Sequence, residues 1–159
     1  MRQAVNVYRS PHHAVVESTS LLVGRGRVAN GWTLLLRADV PEADLGRAVL
    51  DGIRRSGAME GTELPVVAPG STVASAALGY GSDNAMLAAG VSSAIVGVKD
   101  GLWKVTPMIN DGPGHGFGGR HEAPPATHDG PWDPSALGAA VRAALDAAAA
   151  LGYQARSGG

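Results

Sequence analysis

The chain has 159 residues, 45% of them hydrophobic, no Cys, and a formal charge of −1 at pH 7. This length and composition suit one domain with a sizeable core, and they exclude disulfides, thiolate metal sites and cysteine nucleophiles. The balance of 13 Lys and Arg against 14 Asp and Glu argues against nucleic-acid binding, which depends on concentrated positive charge.

Ala4 to Tyr8 alternates apolar and polar residues, the period of a half-buried strand. After Ser10-Pro11, residues 13–23 read as a second strand, and the turn at Gly24-Arg25-Gly26-Arg27 leads back through a third at 32–36. A helix follows, with Asp39 as its capping carboxylate, Pro41 in its first turn and Glu42 favouring its dipole. Leu45, Ala48, Val49 and Ile53 give that helix one apolar face, and Ser56-Gly57 ends it. Leu64 to Val67 reads as a further strand, and Ser82-Asp83-Asn84 caps a short helix through Ala89. Residues 92–99 and 102–109 form a hairpin closed by Lys99-Asp100-Gly101, where Asp-Gly favours a tight turn. A glycine-rich loop then leads to a terminal helix that Asp133-Pro134 starts, Leu137, Val141, Ala144, Leu145, Ala148 and Leu151 make amphipathic, and Gly152 stops.

One phrase occurs twice, as Leu45-Gly46-Arg47-Ala48-Val49 and as Leu137-Gly138-Ala139-Ala140-Val141. A Trp-bearing segment precedes each copy, at Trp32 and Trp103. The expected architecture is therefore a single α+β domain over residues 1–155, a mainly antiparallel sheet with covering helices, in two pseudo-repeated strand-hairpin-helix halves. Glycine early in a helix costs up to about 1 kcal/mol against Ala, so Gly46 and Gly138 predict close approach of each helix to the sheet. Residues 156–159 read as a disordered tail, and no apolar run reaches membrane-spanning length, so a cytoplasmic protein is expected.

Loop 110–121 is glycine-rich, yet it lacks the Gly-Lys-Ser/Thr of a phosphate-binding loop. His115, His121 and His128, with Asp111 and Asp129, are potential metal ligands, but their spacing does not bring two imidazoles to one helical face. No Gly-x-Ser-x-Gly elbow exists, and Glu60 and Glu63 read as a solvated face before an acid/base pair. No enzyme, metal or cofactor is expected. The alternative is a small-molecule or metal-binding enzyme using loop 110–129, and a third reading is a dimerisation module pairing through sheet edges.

The order Ala43 to Leu50, a Val-rich hairpin, Pro107, a glycine stretch holding Phe117, and Leu137 to Leu145 resembles immunity proteins of contact-dependent growth inhibition systems. The resemblance implies an α+β immunity fold that binds and neutralises a cognate toxin domain, with no catalytic residues to carry over. In some such proteins the toxin offers a β-hairpin to a pocket or sheet edge. On this reading a monomer or weak dimer, with no nucleic-acid or membrane partner, meets the toxin through Glu60, Glu63, Asp111, Phe117 and Arg120. Loops on a rigid scaffold carry contacts, and aromatic and Arg anchors dominate interface energy.

Overall fold

Along the chain the elements are β1 (Gln3–Arg9), β2 (His13–Leu22), β3 (Gly26–Arg37), α1 (Glu42–Arg55), β4 (Ala58–Met59), α2 (Val73–Ala77), α3 (Asp83–Ala88), β5 (Ser92–Lys99), β6 (Leu102–Asn110), β7 (Phe117–Gly118), β8 (Ala126–Asp129) and α4 (Pro134–Leu151). The computed structural model describes residues 2–22, 24–59 and 64–154. The alternation at the start of the chain puts β1 at the centre of the sheet, with Val5 and Val7 buried on one face and Asn6 and Tyr8 on the other. The order is β3-β2-β1-β5-β6, with every neighbour antiparallel. β7 and β8 both lie along β6, and β4 runs parallel to the end of β2.

The α+β expectation holds, and the hairpin-helix unit recurs as β2-β3-α1 and β5-β6-α4. β1 stands between the two hairpins and pairs with both. Asp100 and Gly101 both take positive φ, at 51° and 79°, as the Asp-Gly turn requires. α1 and α4 cover one face, where Leu45, Val49, Leu137, Val141 and Leu145 pack on Val5, Val7, Val16, Val96, Trp103 and Val105.

The repeated glycines act differently from expectation: they bring the helices to each other. A Cβ on Gly46 would lie 2.6 Å from the carbonyl carbon of Pro134, and one on Gly138 would lie 2.6 Å from that of Glu42. Glu42 thus meets Gly138 while Gly46 meets Pro134, so the helices run antiparallel where they touch, each through its N-terminal turns. Arg142 of α4 reinforces the crossing by donating to the Val40 carbonyl and pairing with Glu42 at 3.8 Å. Close approach to the sheet falls instead to Gly52, where a Cβ would stand 2.7 Å from Val5 Cγ1.

Three further expectations are corrected. Asp39 does not cap α1; its carboxylate pairs with Arg37, and Pro41 occupies the cap position without a side-chain acceptor. Leu64 to Val67 is not a strand: it has no ladder partner, and Val66 is 99% exposed. β3 begins earlier than expected, at Gly26, because extra residues around Asn30 and Gly31 bulge out of its ladder with β2. Asn30 secures that bulge, donating to Ser18 Oγ, Ser20 Oγ and the Arg55 carbonyl at 3.0, 2.9 and 3.1 Å.

Candidate interaction surface

The second face of the sheet is only partly covered. α2 lies across β2 and β3, burying Ala74 and Ser75 completely. Its sequence explains its start: Thr72 Oγ1 accepts from the Ser75 amide while Ser75 Oγ accepts from the Thr72 amide, a reciprocal capping box. Asp83, at the start of α3, accepts from both the amide and the hydroxyl of Thr72 at 2.9 Å, tying the two short helices together. Ser82 caps α3 as expected, accepting from the Ala85 amide at 3.1 Å.

At the margin of this cover lies Glu17, only 4% exposed. Its Oε1 accepts from Asn6 Nδ2 at 3.2 Å, but Oε2 has no partner among the described residues, and neither does Oγ1 of its cross-strand neighbour Thr33. Burial pushes the Glu17 carboxyl above the usual carboxylate range, against the opposing pull of the Asn6 amide, and nearby Asp83 adds to the rise. A raised folded-state pKa means the native state binds this proton more tightly than the unfolded chain does. Its stabilising effect is therefore complete below the ordinary carboxylate pKa and is lost as pH climbs through the folded value. Glu17→Gln should raise the melting temperature at pH 7 and leave it unchanged at acid pH; equal effects at both pH values would remove the carboxyl as the cause.

The glycine loop is built onto the end of the same face. Asn110, 3% exposed, donates to the Leu87 and Val91 carbonyls at 2.9 and 3.1 Å and accepts from the Gly112 amide at 2.8 Å. The Gly114 amide donates to Asn84 Oδ1 at 2.8 Å, joining the loop to α3. Gly112, at φ +91°, carries the ring of Tyr153 against it, so a Cβ there would be both strained and obstructed.

Of the predicted contact residues, three are brought together here. Asp111 and Arg120 form an ion pair with each other across the loop. Phe117 is half-buried and meets Tyr8 edge to face, with ring centroids 5.6 Å apart. Glu60 and Glu63 lie outside the described residues, as does the predicted tail at 156–159. The histidines are separated in role: His115 is exposed, His121 faces Glu122 at 3.2 Å, and His128 stacks on Trp132 at 4.9 Å. Among the described residues no three His, Asp or Glu side chains converge as a metal site would need. Residues that sequence reasoning missed here are Asn110, Tyr8 and Glu17, of which only Tyr8 carried a signal, as an aromatic on a strand.

This arrangement offers a surface at one end of the strands, formed by the loop, α3 and the end of β1. No protein-family model matches the chain, and no curated protein matches it. Solved structures do. A chain of the CdiA-CT/CdiI toxin and immunity complex from Yersinia pseudotuberculosis matches with a TM-score of 0.68 at 17% identity, over 92% of this chain and 97% of that one. The fold is that of a chain in a toxin–immunity complex. A protein of unknown function from Neisseria meningitidis shares it, with a TM-score of 0.69 at 14% identity, over 92% of this chain and 95% of that one. Among the described residues no helix is long and apolar enough to cross a membrane.

Proposed function

We propose that this protein is an immunity protein of a contact-dependent or related secretion system: in the cytoplasm it binds the toxic domain of a cognate effector and neutralises it. It acts by binding, with no catalytic step and no cofactor. The fold shared with a chain of the CdiA-CT/CdiI complex carries this reading. Its support in the chain itself is a rigid sheet and helix layer that presents a pinned loop with an aromatic and an Arg at one end.

Asp111, Phe117 and Arg120 belong to the contact surface in this proposal, with Glu60 and Glu63 contributing from the segment before α2. The test is co-expression with a toxin domain encoded beside this gene. Growth should be restored and a complex should co-purify; persistent arrest with soluble protein and no complex would reject the function. Phe117→Ala should weaken the complex by about thirtyfold, the loss of one interface anchor of about 2 kcal/mol. Unchanged affinity in a folded Phe117→Ala protein would move the contact away from this loop.

A further inference from the structure

The part of the second face that α2 and α3 leave uncovered concentrates charge in a way the near-neutral composition hides. Antiparallel register places Ala29, Thr19, Ala4, Gly97 and Lys104 in one row across five strands. One row further along the strands, Arg27 stands opposite Leu21 and Lys99 opposite Leu102, with Ala58 of β4 beside Leu21 and Arg2 just before β1. Small residues form the floor, and the two hollows above it measure about 350 and 240 Å³. Arg2 lines both hollows, its Nε lying 4.0 Å from where a Cβ on Gly97 would be.

The walls are cationic. Lys99 and Lys104 are the only lysines in the chain, and with Arg2 they stand exposed on this face. Arg27 is half-buried, its Nη1 donating to the Thr19 carbonyl and Ser56 Oγ, each at 3.3 Å. Burial, and then the like charge of Arg2, press against its ionised form, a cost that an incoming anion would relieve. No ion pair among the described residues holds any of these four side chains. Among the described residues the acids nearest in register are Asp129 opposite Leu102 and Asp100 in the β5-β6 turn, both at the rim, and the buried Glu17, which stands opposite Asn6 at the far edge of the larger hollow.

We infer that this trough receives an acidic, extended segment of a protein partner, whose carboxylates meet Arg2, Arg27, Lys99 and Lys104. Four strand spacings separate β3 from β6, roughly 19 Å, which about six extended residues span. A polypeptide fits better than a nucleic acid. The floor is narrow, no aromatic ring lines either hollow for base stacking, and the whole chain is slightly negative. The inference rests on reading the chain as a protein-binding module and gives that module a second surface, at the opposite end of the strands from loop 110–121.

The probe is a fluorescein-labelled peptide of about ten residues alternating Glu and Val, compared by anisotropy with its Gln counterpart and with a single-stranded DNA oligonucleotide of equal length. The Glu peptide should bind about tenfold or more tightly than the Gln peptide, and about 0.5 M salt should abolish the difference. Arg2→Glu/Lys104→Glu should remove that preference. Gly97→Val, which keeps every charge but fills the floor, should weaken binding as well. No binding of the Glu peptide, equal affinity for the Gln peptide, tighter binding of the DNA, or unchanged binding by a folded charge-reversal variant would each overturn the inference. The same variants in the co-expression assay separate the two readings. Full rescue by Arg2→Glu/Lys104→Glu would overturn the trough and leave neutralisation standing. A wild-type protein that binds the Glu peptide as expected yet fails to rescue would keep the trough and remove neutralisation.

Discussion

Gly46→Ala is expected to cost about 3 kcal/mol or more of folding stability, the upper range for forcing extra volume into a packed interior. In an exposed helix the same change would gain up to about 1 kcal/mol through helix propensity. Here the added methyl is aimed at the backbone of Pro134, which cannot rotate away as a side chain can. Gly138→Ala should cost a similar amount, because its methyl meets the backbone of Glu42. The two substitutions open one crossing, so the double variant should lose clearly less than the sum of the singles. Thermal and urea unfolding of all three proteins would check this. A neutral or stabilising Gly46→Ala would contradict the antiparallel contact, and strict additivity would mean the two glycines act independently.

Asn110→Ala is expected to cost about 3 kcal/mol, with the loss felt mainly in the glycine loop and α3. The side chain makes three hydrogen bonds from a nearly closed position, and its removal takes the donor from the Val91 carbonyl and the acceptor from the Gly112 amide, while the Leu87 carbonyl keeps the Gly90 amide. Each net bond is worth about 1 kcal/mol, and an unsatisfied buried group adds to the loss. Hydrogen exchange should accelerate at Gly112 and around Val91 well before it changes in the β1-β5 ladder. Asn110→Asp would keep the acceptor for Gly112 but set a carboxylate against two carbonyls, so it should do no better. Uniform acceleration across the sheet would show that Asn110 supports global stability and not the loop.

Much of the layer that builds the fold was legible in the chain. Strand period, the Asp100-Gly101 turn, the Ser82 cap and the Asp133-Pro134 start are local signals, and each has a local physical cause. The repeated glycines announced a close approach, but a single sequence could not say whether sheet or helix lay opposite. Leu64 to Val67 misled because apolar content alone does not make a strand without a ladder to join. α2 was hidden because five residues of Val, Ala and Ser carry no helical stripe, and its capping box became meaningful only with Asp83 beside it.

The surface was far less legible. Asp111, Phe117 and Arg120 do gather at one loop, yet the ion pair between the first and last came from the fold of the glycine turns. The four cations of the trough come from positions near 2, 27, 99 and 104, and only strand register sets them side by side. Glu17 looked like one more polar residue on an alternating strand, whereas its burial depends on a cover contributed from residues 73–77.

The central place of β1 has a consequence for how the chain comes into being. The sequence reads as two successive halves, yet β1 has its second edge closed only by β5, some ninety residues on, with Gln3 opposite Val98. Without β5 the N-terminal hairpin carries an open row of amides and carbonyls, and α1, which covers its apolar face, lacks α4 to pack against. Loop-closure entropy opposes the β1-β5 pairing more than the local hairpins, because its partners are so far apart in the chain. Each hairpin-helix repeat thus leaves β1 with an unpaired edge unless the other is present, and the two close the sheet together.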